Sequence, residues 1–306
     1  MTKAIFDSHS HYMPPQVAEK TAFFKNYWSD IERQLSVMDE CGIEKSLLLY
    51  PNSDAHLNMG GWKKVCAVYN HAISGLIKKY SDRFIGAGIL PMDSPDDFFE
   101  ELKRIKDLGL KVVCLPSSYE GKFLDEKIFD GVYEFFKNNK MPIFIHPQII
   151  NPIGEDRIKD SLLTPVLEYV FDISMCIGKM MMEETFFKFY DVKFIFAHFG
   201  GVLPFLKERF DNTYMMLRKR NFVKDLKNLP SQYFKNLFFE TSGSRSPAML
   251  LAALEITDAS HILFGSDFPA NQDVSSSIQA IEKADLSDGD KRLILKNNLL
   301  KILDLK

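Results

Sequence analysis

Lys193-Phe-Ile-Phe-Ala-His198-Phe-Gly-Gly201 is the stretch from which the fold can be read. From Lys193 to Ala197 the run is short and nearly all apolar, without the alternation of a strand that faces water on one side. A strand of a parallel sheet, covered by helices on both faces, has this composition. The run then stops at His198 and two glycines. The same grammar recurs along the chain. Runs of this kind stand at 4–8, 45–50, 84–89, 111–115, 142–146, 193–197, 237–240 and 261–265.

Longer segments with helical periodicity separate them. After the second run, Trp62, Val65, Cys66, Tyr69, Ile73, Leu76, Ile77 and Tyr80 recur at three- and four-residue spacing, as one buried helix face requires. Shorter stripes occur at Phe98, Leu102 and Ile105, and again from Leu293 to Leu303. Ser29-Asp-Ile-Glu32 reads as a capping box whose helix closes at Gly42. Ser94-Pro95, Thr164-Pro165 and Ser246-Pro247 each set a cap residue before a proline at the first helical position. Strand and helix thus alternate eight times with no low-complexity linker. This pattern predicts an α/β fold, a (β/α)8 TIM barrel covering residues 1–306 as a single domain, with an open doubly wound sheet as the alternative. A chain of 306 residues suits such a barrel, and a 46% hydrophobic content that includes 26 Phe can fill its core.

Composition sets the partner classes. The net charge is −3, and the densest basic run is the short Arg218-Lys219-Arg220, so nucleic acid and anionic membranes are not expected partners. No apolar run is long enough to span a bilayer, and Ala4-Ile5-Phe6 begins a strand where a leader would stand, which makes a cytoplasmic protein the expectation. Cys41, Cys66, Cys114 and Cys176 form no CxxC pair and lie among apolar neighbours, so buried reduced thiols are expected. Glycine-rich phosphate loops are missing, and no Ser stands in a G-x-S-x-G elbow.

Catalytic groups of a β/α barrel project from the C-terminal ends of its strands. Strand one runs into Asp7-Ser-His9-Ser-His11, where alternate residues share a face. Strand five ends at His146, strand six at His198, and strand eight runs through Gly265-Ser266 to Asp267. Four strand ends therefore aim four His and one Asp at one mouth. His9, His11, His146 and Asp267 are the expected holders of one divalent metal ion. Three imidazoles and a carboxylate suit zinc first, with manganese, iron or cobalt also open. An ion there would lower the pKa of a bound water from 15.7 toward about 7. His198 beside it is the expected general acid/base or a substrate-orienting donor, with Asp267 as a second candidate base. His71 falls off its helix stripe, His261 starts strand eight at the wrong end, and His56, in the loop after strand two, is a candidate substrate contact.

These motifs carry a resemblance. The N-terminal Asp7-x-His9-x-His11, the His ending strand five, Ala197-His-Phe-Gly-Gly201 and Gly265-Ser-Asp-Phe-Pro269 resemble the amidohydrolase superfamily. Within it, they resemble the branch typified by 2-amino-3-carboxymuconate-6-semialdehyde decarboxylase, with γ-resorcylate decarboxylase and related hydrolases and hydratases. Arg83-Phe-Ile-Gly-Ala-Gly-Ile-Leu-Pro91 and the helical stretch 172–190 extend the likeness over nearly the whole chain. The resemblance implies the same four metal ligands and a catalytic His198. It also implies a mononuclear site, because strand four ends at Cys114-Leu-Pro-Ser117 with no Lys or Glu to bridge two ions. The run from His198 to Arg209 resembles one whose closing Arg enters a neighbouring subunit's site, which makes Arg209 a candidate clamp on a substrate carboxylate and implies a homodimer. One departure stands out. No Arg precedes Arg33, where the branch carries a substrate-binding Arg; Tyr12, Phe23, Phe24, Tyr27 and Trp28 look like an aromatic lid instead, and Arg245 could take over the carboxylate contact. The implied substrate is a small organic acid. The chemistry is non-oxidative decarboxylation, or else hydrolysis of an ester, lactone or amide, or hydration, since one site supports all three.

Overall fold

In the computed structural model, which describes residues 4–154 and 160–305, eight parallel strands pair in chain order. They are β1 (Ile5–His11), β2 (Ile43–Leu49), β3 (Phe84–Ile89), β4 (Val112–Pro116), β5 (Ile143–His146), β6 (Phe194–Phe196), β7 (Phe238–Glu240) and β8 (Ile262–Leu263). The ring closes through the segment that follows β8. Ser8 N donates to Phe264 O (2.8 Å), Asp267 N to His9 O (2.7 Å) and His11 N to Phe268 O (2.7 Å). Closure excludes the open doubly wound sheet and makes the fold a (β/α)8 barrel. A two-residue hairpin, Ser118–Tyr119 with Lys122–Phe123, decorates the loop after β4.

β1 is longer than its apolar run, which stops at Ser8. The polar Ser-His-Ser-His stretch stays extended because it has partners on both sides. Ser10 and His11 pair with Leu48 and Leu49 of β2, while the 264–268 segment binds the other edge. Every residue of β1 is buried. The two ligand candidates of this strand are therefore held by sheet hydrogen bonds within the barrel wall.

Helices α1 (Ile31–Cys41), α2 (Trp62–Lys79), α3 (Phe98–Asp107), α4 (Asp130–Asn139), α5 (Tyr169–Met182), α6 (Leu203–Arg218), α7 (Pro247–Ala253) and α8 (Val274–Glu282) follow the eight strands in turn. On α2 the predicted stripe is buried from Trp62 to Ile73, and His71 is exposed. Two expected caps move. Asp30 rather than Ser29 caps α1, accepting from Arg33 N at 2.9 Å, while the Ser29 hydroxyl donates to Met13 O. Thr164 lies within the helical run leading into α5; Asp160 accepts from Leu162 N and Leu163 N ahead of it. In both places a carboxylate with a short side chain reaches the free N–H groups from one residue or one turn away. Ser246 caps α7 as expected. All four cysteines are free thiols; Cys66, Cys114 and Cys176 are buried, but Cys41 is only partly so. No helix of the described residues is long and apolar enough to cross a membrane.

Candidate metal centre and active site

His9, His11 and His146 meet at the C-terminal mouth of the barrel, with ring-nitrogen ligand atoms all within 4.8 Å of one another. What each ring does with its other nitrogen decides its role. His9 Nδ1 faces Glu240 Oε1 (3.0 Å), His11 Nδ1 faces Leu49 O (3.1 Å) and His146 Nδ1 faces Pro147 O (3.0 Å). An acceptor opposite each Nδ1 puts the proton there and leaves three bare Nε2 lone pairs. Two of these, on His9 and His11, stand 3.0 Å apart, and Asp267 Oδ1 lies 3.4 and 3.1 Å from them. With no proton between them, buried lone pairs at this distance repel unless a cation sits among them. Ligands at about 2.1 Å from one ion have neighbours about 3.0–3.4 Å apart, so the spacing fits a single first-row metal. Outer acceptors on each Nδ1 are also what a metal-binding imidazole needs to stay oriented.

The electrostatics agree for His146 and His11, while His9 is the exception: burial lowers it, but Glu240 and Asp267 outweigh that and raise it. Burial, then the imidazoles of His11, His9 and His198, push His146 well below the ordinary histidine value, which keeps it neutral. Burial also lowers His11, against the pull of Asp267. For Asp267 burial acts upward, but His9, His11 and His198 outweigh it and hold its carboxyl below the usual carboxylate range.

His198 stands beside the cluster rather than in it, its ring 5.4 Å from His9 and 6.3 Å from His146. It sits just past β6 in a tight left-handed turn with φ of 51° at His198 and 57° at Phe199. Gly201 completes that turn, with φ of 74° and α5 so close that a Cβ would lie 2.1 Å from Val170 O. The ring is half-buried and lines the pocket.

That pocket is a cavity of about 690 Å³ over His11, His146, His198 and Asp267. Phe23, Phe24, Trp28, Ile149, Ile150, Pro51 and Pro147 form its walls. Trp28 is buried, with its ring 5.7 Å from His11 and 4.7 Å from Phe24, whereas Phe23 is exposed at the mouth. Phe23, Phe24 and Trp28 of the expected aromatic lid therefore line the cavity, and Tyr12 and Tyr27 do not. Asp54 and Asp160 reach the rim but are occupied by backbone N–H groups of Ala22, and of Leu162 and Leu163. Among the described residues lining the pocket, none is Lys or Arg.

Three expected contacts lie elsewhere. Arg245 is exposed and turned to Asn271 Oδ1 (2.8 Å) and Asp273 (3.6 Å). Arg209 is exposed on α6 and lines a separate apolar groove with Met181, Met182 and Phe210. His56 stacks on Trp62 with ring centroids 4.8 Å apart and its Nδ1 facing Ser53 O. None of the three reaches this chain's own pocket.

Glu240, Ser242 and Asp7 complete the site beyond the residues expected from the sequence. Glu240, fully buried at the end of β7, takes four contacts: His9 Nδ1, His198 N (2.6 Å), Ser242 N (2.7 Å) and Ser242 Oγ (2.6 Å). Burial would raise its pKa, but His9, His198 and Ser242 bring it below the ordinary value. Asp7 receives His9 N, Ser266 N, Ser266 Oγ and Ser46 Oγ, tying β1 to the Gly265–Asp267 corner. A signal for Glu240 exists in the sequence, since it is an ionisable residue at the C-terminal end of a barrel strand.

The amidohydrolase family model matches residues 6–305. The chain is 25% identical to a γ-resorcylate decarboxylase from Rhizobium sp. (strain MTP-10005), over 96% of each chain. It is 26% identical to a 2-amino-3-carboxymuconate-6-semialdehyde decarboxylase from Dictyostelium discoideum, over 77% of this chain and 65% of that one. Its fold is similar to a crystal structure of 5-carboxyvanillate decarboxylase from Novosphingobium aromaticivorans, complexed with manganese and 4-hydroxy-3-methoxy-5-nitrobenzoic acid. The TM-score is 0.83 at 19% identity, over 99% of this chain and 96% of that chain.

Proposed function

Because the chain belongs to the amidohydrolase family, as a match over 6–305 requires, we propose that it removes the carboxylate of a small aromatic acid as CO2, without an oxidant. One observation carries the reading: an aromatic-walled cavity with ample room for an aromatic acid opens onto His11, His146 and Asp267 of the cluster, with a further imidazole, His198, at their side. Relatives named as decarboxylases of γ-resorcylate and of 5-carboxyvanillate support this chemistry over hydrolysis or hydration.

His9, His11, His146 and Asp267 would hold one divalent ion. The donor set suits zinc first, and manganese, present in the similar structure, next. When bound, such an ion supplies positive charge that draws in a carboxylate or an adjacent hydroxyl oxygen. Phe23, Phe24, Trp28, Ile149 and Ile150 give the ring an apolar wall to pack against. His198 handles the proton. Protonated at Nε2, it passes the proton to the ring carbon that bears the carboxylate, and ring π electrons form the new C–H bond. The carbon–carboxylate bond then breaks, its electron pair returns to the ring, and CO2 leaves. The sum is one acid anion and one proton converted to one arene and CO2.

Beyond the metal ion, the described lining offers no Lys or Arg for a further anionic group of the substrate. Arg209 of a second copy fits that role. The groove it lines continues an apolar surface of α5 and α6 on which Phe171, Met175 and Phe205 are exposed at 41%, 42% and 67%. Faces of this kind mark a subunit contact, and a homodimer completing each other's sites is the arrangement proposed.

The test is a panel containing 2,6-dihydroxybenzoate, 5-carboxyvanillate and related hydroxybenzoates, incubated with zinc- or manganese-loaded protein while CO2 is recorded. Release from at least one acid, abolished by chelation, is expected. Absence of release across the panel with both metals refutes the reading.

A further inference from the structure

Glu240, Ser242 and His198 form a chain whose proton directions can be worked out. Glu240 Oε1 receives His198 N–H at 2.6 Å and His9 Nδ1 at 3.0 Å, and Oε2 receives Ser242 N–H at 2.7 Å. Backbone N–H groups only donate, and His9 Nδ1 carries its proton because its Nε2 faces the ligand cluster. A carboxyl group already serving three donors has no cause to carry a proton. Ser242 Oγ lies 2.6 Å from Glu240 Oε1, 2.7 Å from His198 Nδ1 and 3.3 Å from His9 Nδ1, whose proton it can share with Glu240, and its hydroxyl has a single hydrogen. That hydrogen must point at the carboxylate, which can only accept. What remains toward His198 is a lone pair, and a lone pair at 2.7 Å needs a proton on Nδ1.

We propose that Ser242, oriented by Glu240, is the positioning residue that fixes the proton of neutral His198 on Nδ1. The inference rests on the reading of His198 as the proton-handling group. Its consequence concerns order. With Nδ1 protonated, the pocket-side Nε2 is bare at rest, so His198 must first take up a proton there and only then deliver it. The imidazolium so formed keeps its Nδ1–H on Ser242 throughout, so the ring does not rotate between uptake and delivery. The acceptor lies two residues past the end of β7 and the base beyond β6, so the barrel wall itself sets the register between them. Ser242 is buried and does not line the cavity, so it acts through His198 and not on the substrate.

The experiment uses protein labelled with 15N-histidine and loaded with zinc, which is diamagnetic. The ring signals of His198 are identified by their loss in His198→Gln. Two-bond proton–nitrogen correlations distinguish a protonated Nδ1 from a protonated Nε2 without any substrate. The wild type is expected to show Nδ1–H. In Ser242→Ala the ring shifts toward Nε2–H, kcat falls about 10- to 100-fold with KM little changed, as for loss of an orienting outer contact, and Ser242→Thr restores both. A wild-type ring protonated at Nε2, or a Ser242→Ala variant that keeps Nδ1–H, overturns the proposal. Failure of the wild type to release CO2 from any acid would sink the proposed activity and leave the ring spectrum as it is, so the two failures are separable.

Discussion

A single methyl group at Gly265 should damage the site from beneath. An ideal Cβ built there lies 1.8 Å from Glu240 Oε2, 2.8 Å from its carboxyl carbon and 2.9 Å from His9 Cβ. Atoms cannot approach so closely, and the strand positions are fixed by the barrel, so in Gly265→Ala the Glu240 carboxylate is what yields. Moving it breaks its contacts to His9 Nδ1 and His198 N. Overpacking costs about 1–3 kcal/mol, and each of the two hydrogen bonds to a charged group about 1.5–3 kcal/mol, so roughly 4–9 kcal/mol of stability is at stake. Zinc affinity should fall about 10- to 100-fold, because His9 loses the group that aims its ring. Denaturant unfolding of the metal-free protein and zinc competition against a chelator measure the two effects. A cycle isolates the cause. In a Glu240→Ala background the carboxylate is gone, so the added methyl should cost far less, with a coupling at or above the top of the usual range, about 3 kcal/mol. If Gly265→Ala binds zinc and unfolds like the wild type, or is equally harmful in both backgrounds, the packing of Glu240 under the cluster is refuted.

Asp7 supplies a pH prediction. Burial pushes its carboxyl from 3.8 to about 6, against hydrogen bonds from Ser266, the His9 backbone and Ser46. A raised carboxyl favours the folded state below its unfolded pKa, and that contribution disappears as pH climbs through the folded value. At 1.36 kcal/mol per pH unit, metal-free wild type should lose about 2–3 kcal/mol relative to Asp7→Asn between about pH 4 and 7 in denaturant titrations; parallel stability curves would contradict this. For Arg209, mixing Arg209→Met subunits with His198→Ala subunits, each inactive alone, should recover about a quarter of wild-type activity, since half of random dimers are mixed and each holds one complete site. Recovery of none would place Arg209 outside the neighbour's pocket.

The barrel was legible because its signals are local. Short apolar runs alternating with striped helices need no knowledge of distant partners, and all eight expected strands occur within a few residues of their runs. Where the reading slipped, a distant group decided. β1 continues to His11 because β2 and the 264–268 segment hold its polar end, and no composition rule within Ser8–His11 announces that. The caps shifted because a nearer carboxylate competed. Ser29 was free to bind Met13 O once Asp30, one residue on, could reach Arg33 N.

The site divides along a physical line. Metal-binding chemistry demands particular side chains, so His9, His11, His146 and Asp267 show themselves at strand ends in a chain with only 7 His. Their orientation does not all have to be written in side chains. His11 and His146 are aimed by the carbonyls of Leu49 and Pro147, atoms that every residue carries and that no sequence can display. His9 has no such carbonyl and is aimed by side chains, Glu240 at 3.0 Å, 231 positions away, and Ser242 at 3.3 Å. It follows that the main outer partners of two of the three imidazoles survive any substitution that leaves the barrel folded, while the third depends on the side chain of Glu240. That same carboxylate also holds the backbone of His198, so one residue at the end of β7 couples the metal cluster to the group proposed to move the proton.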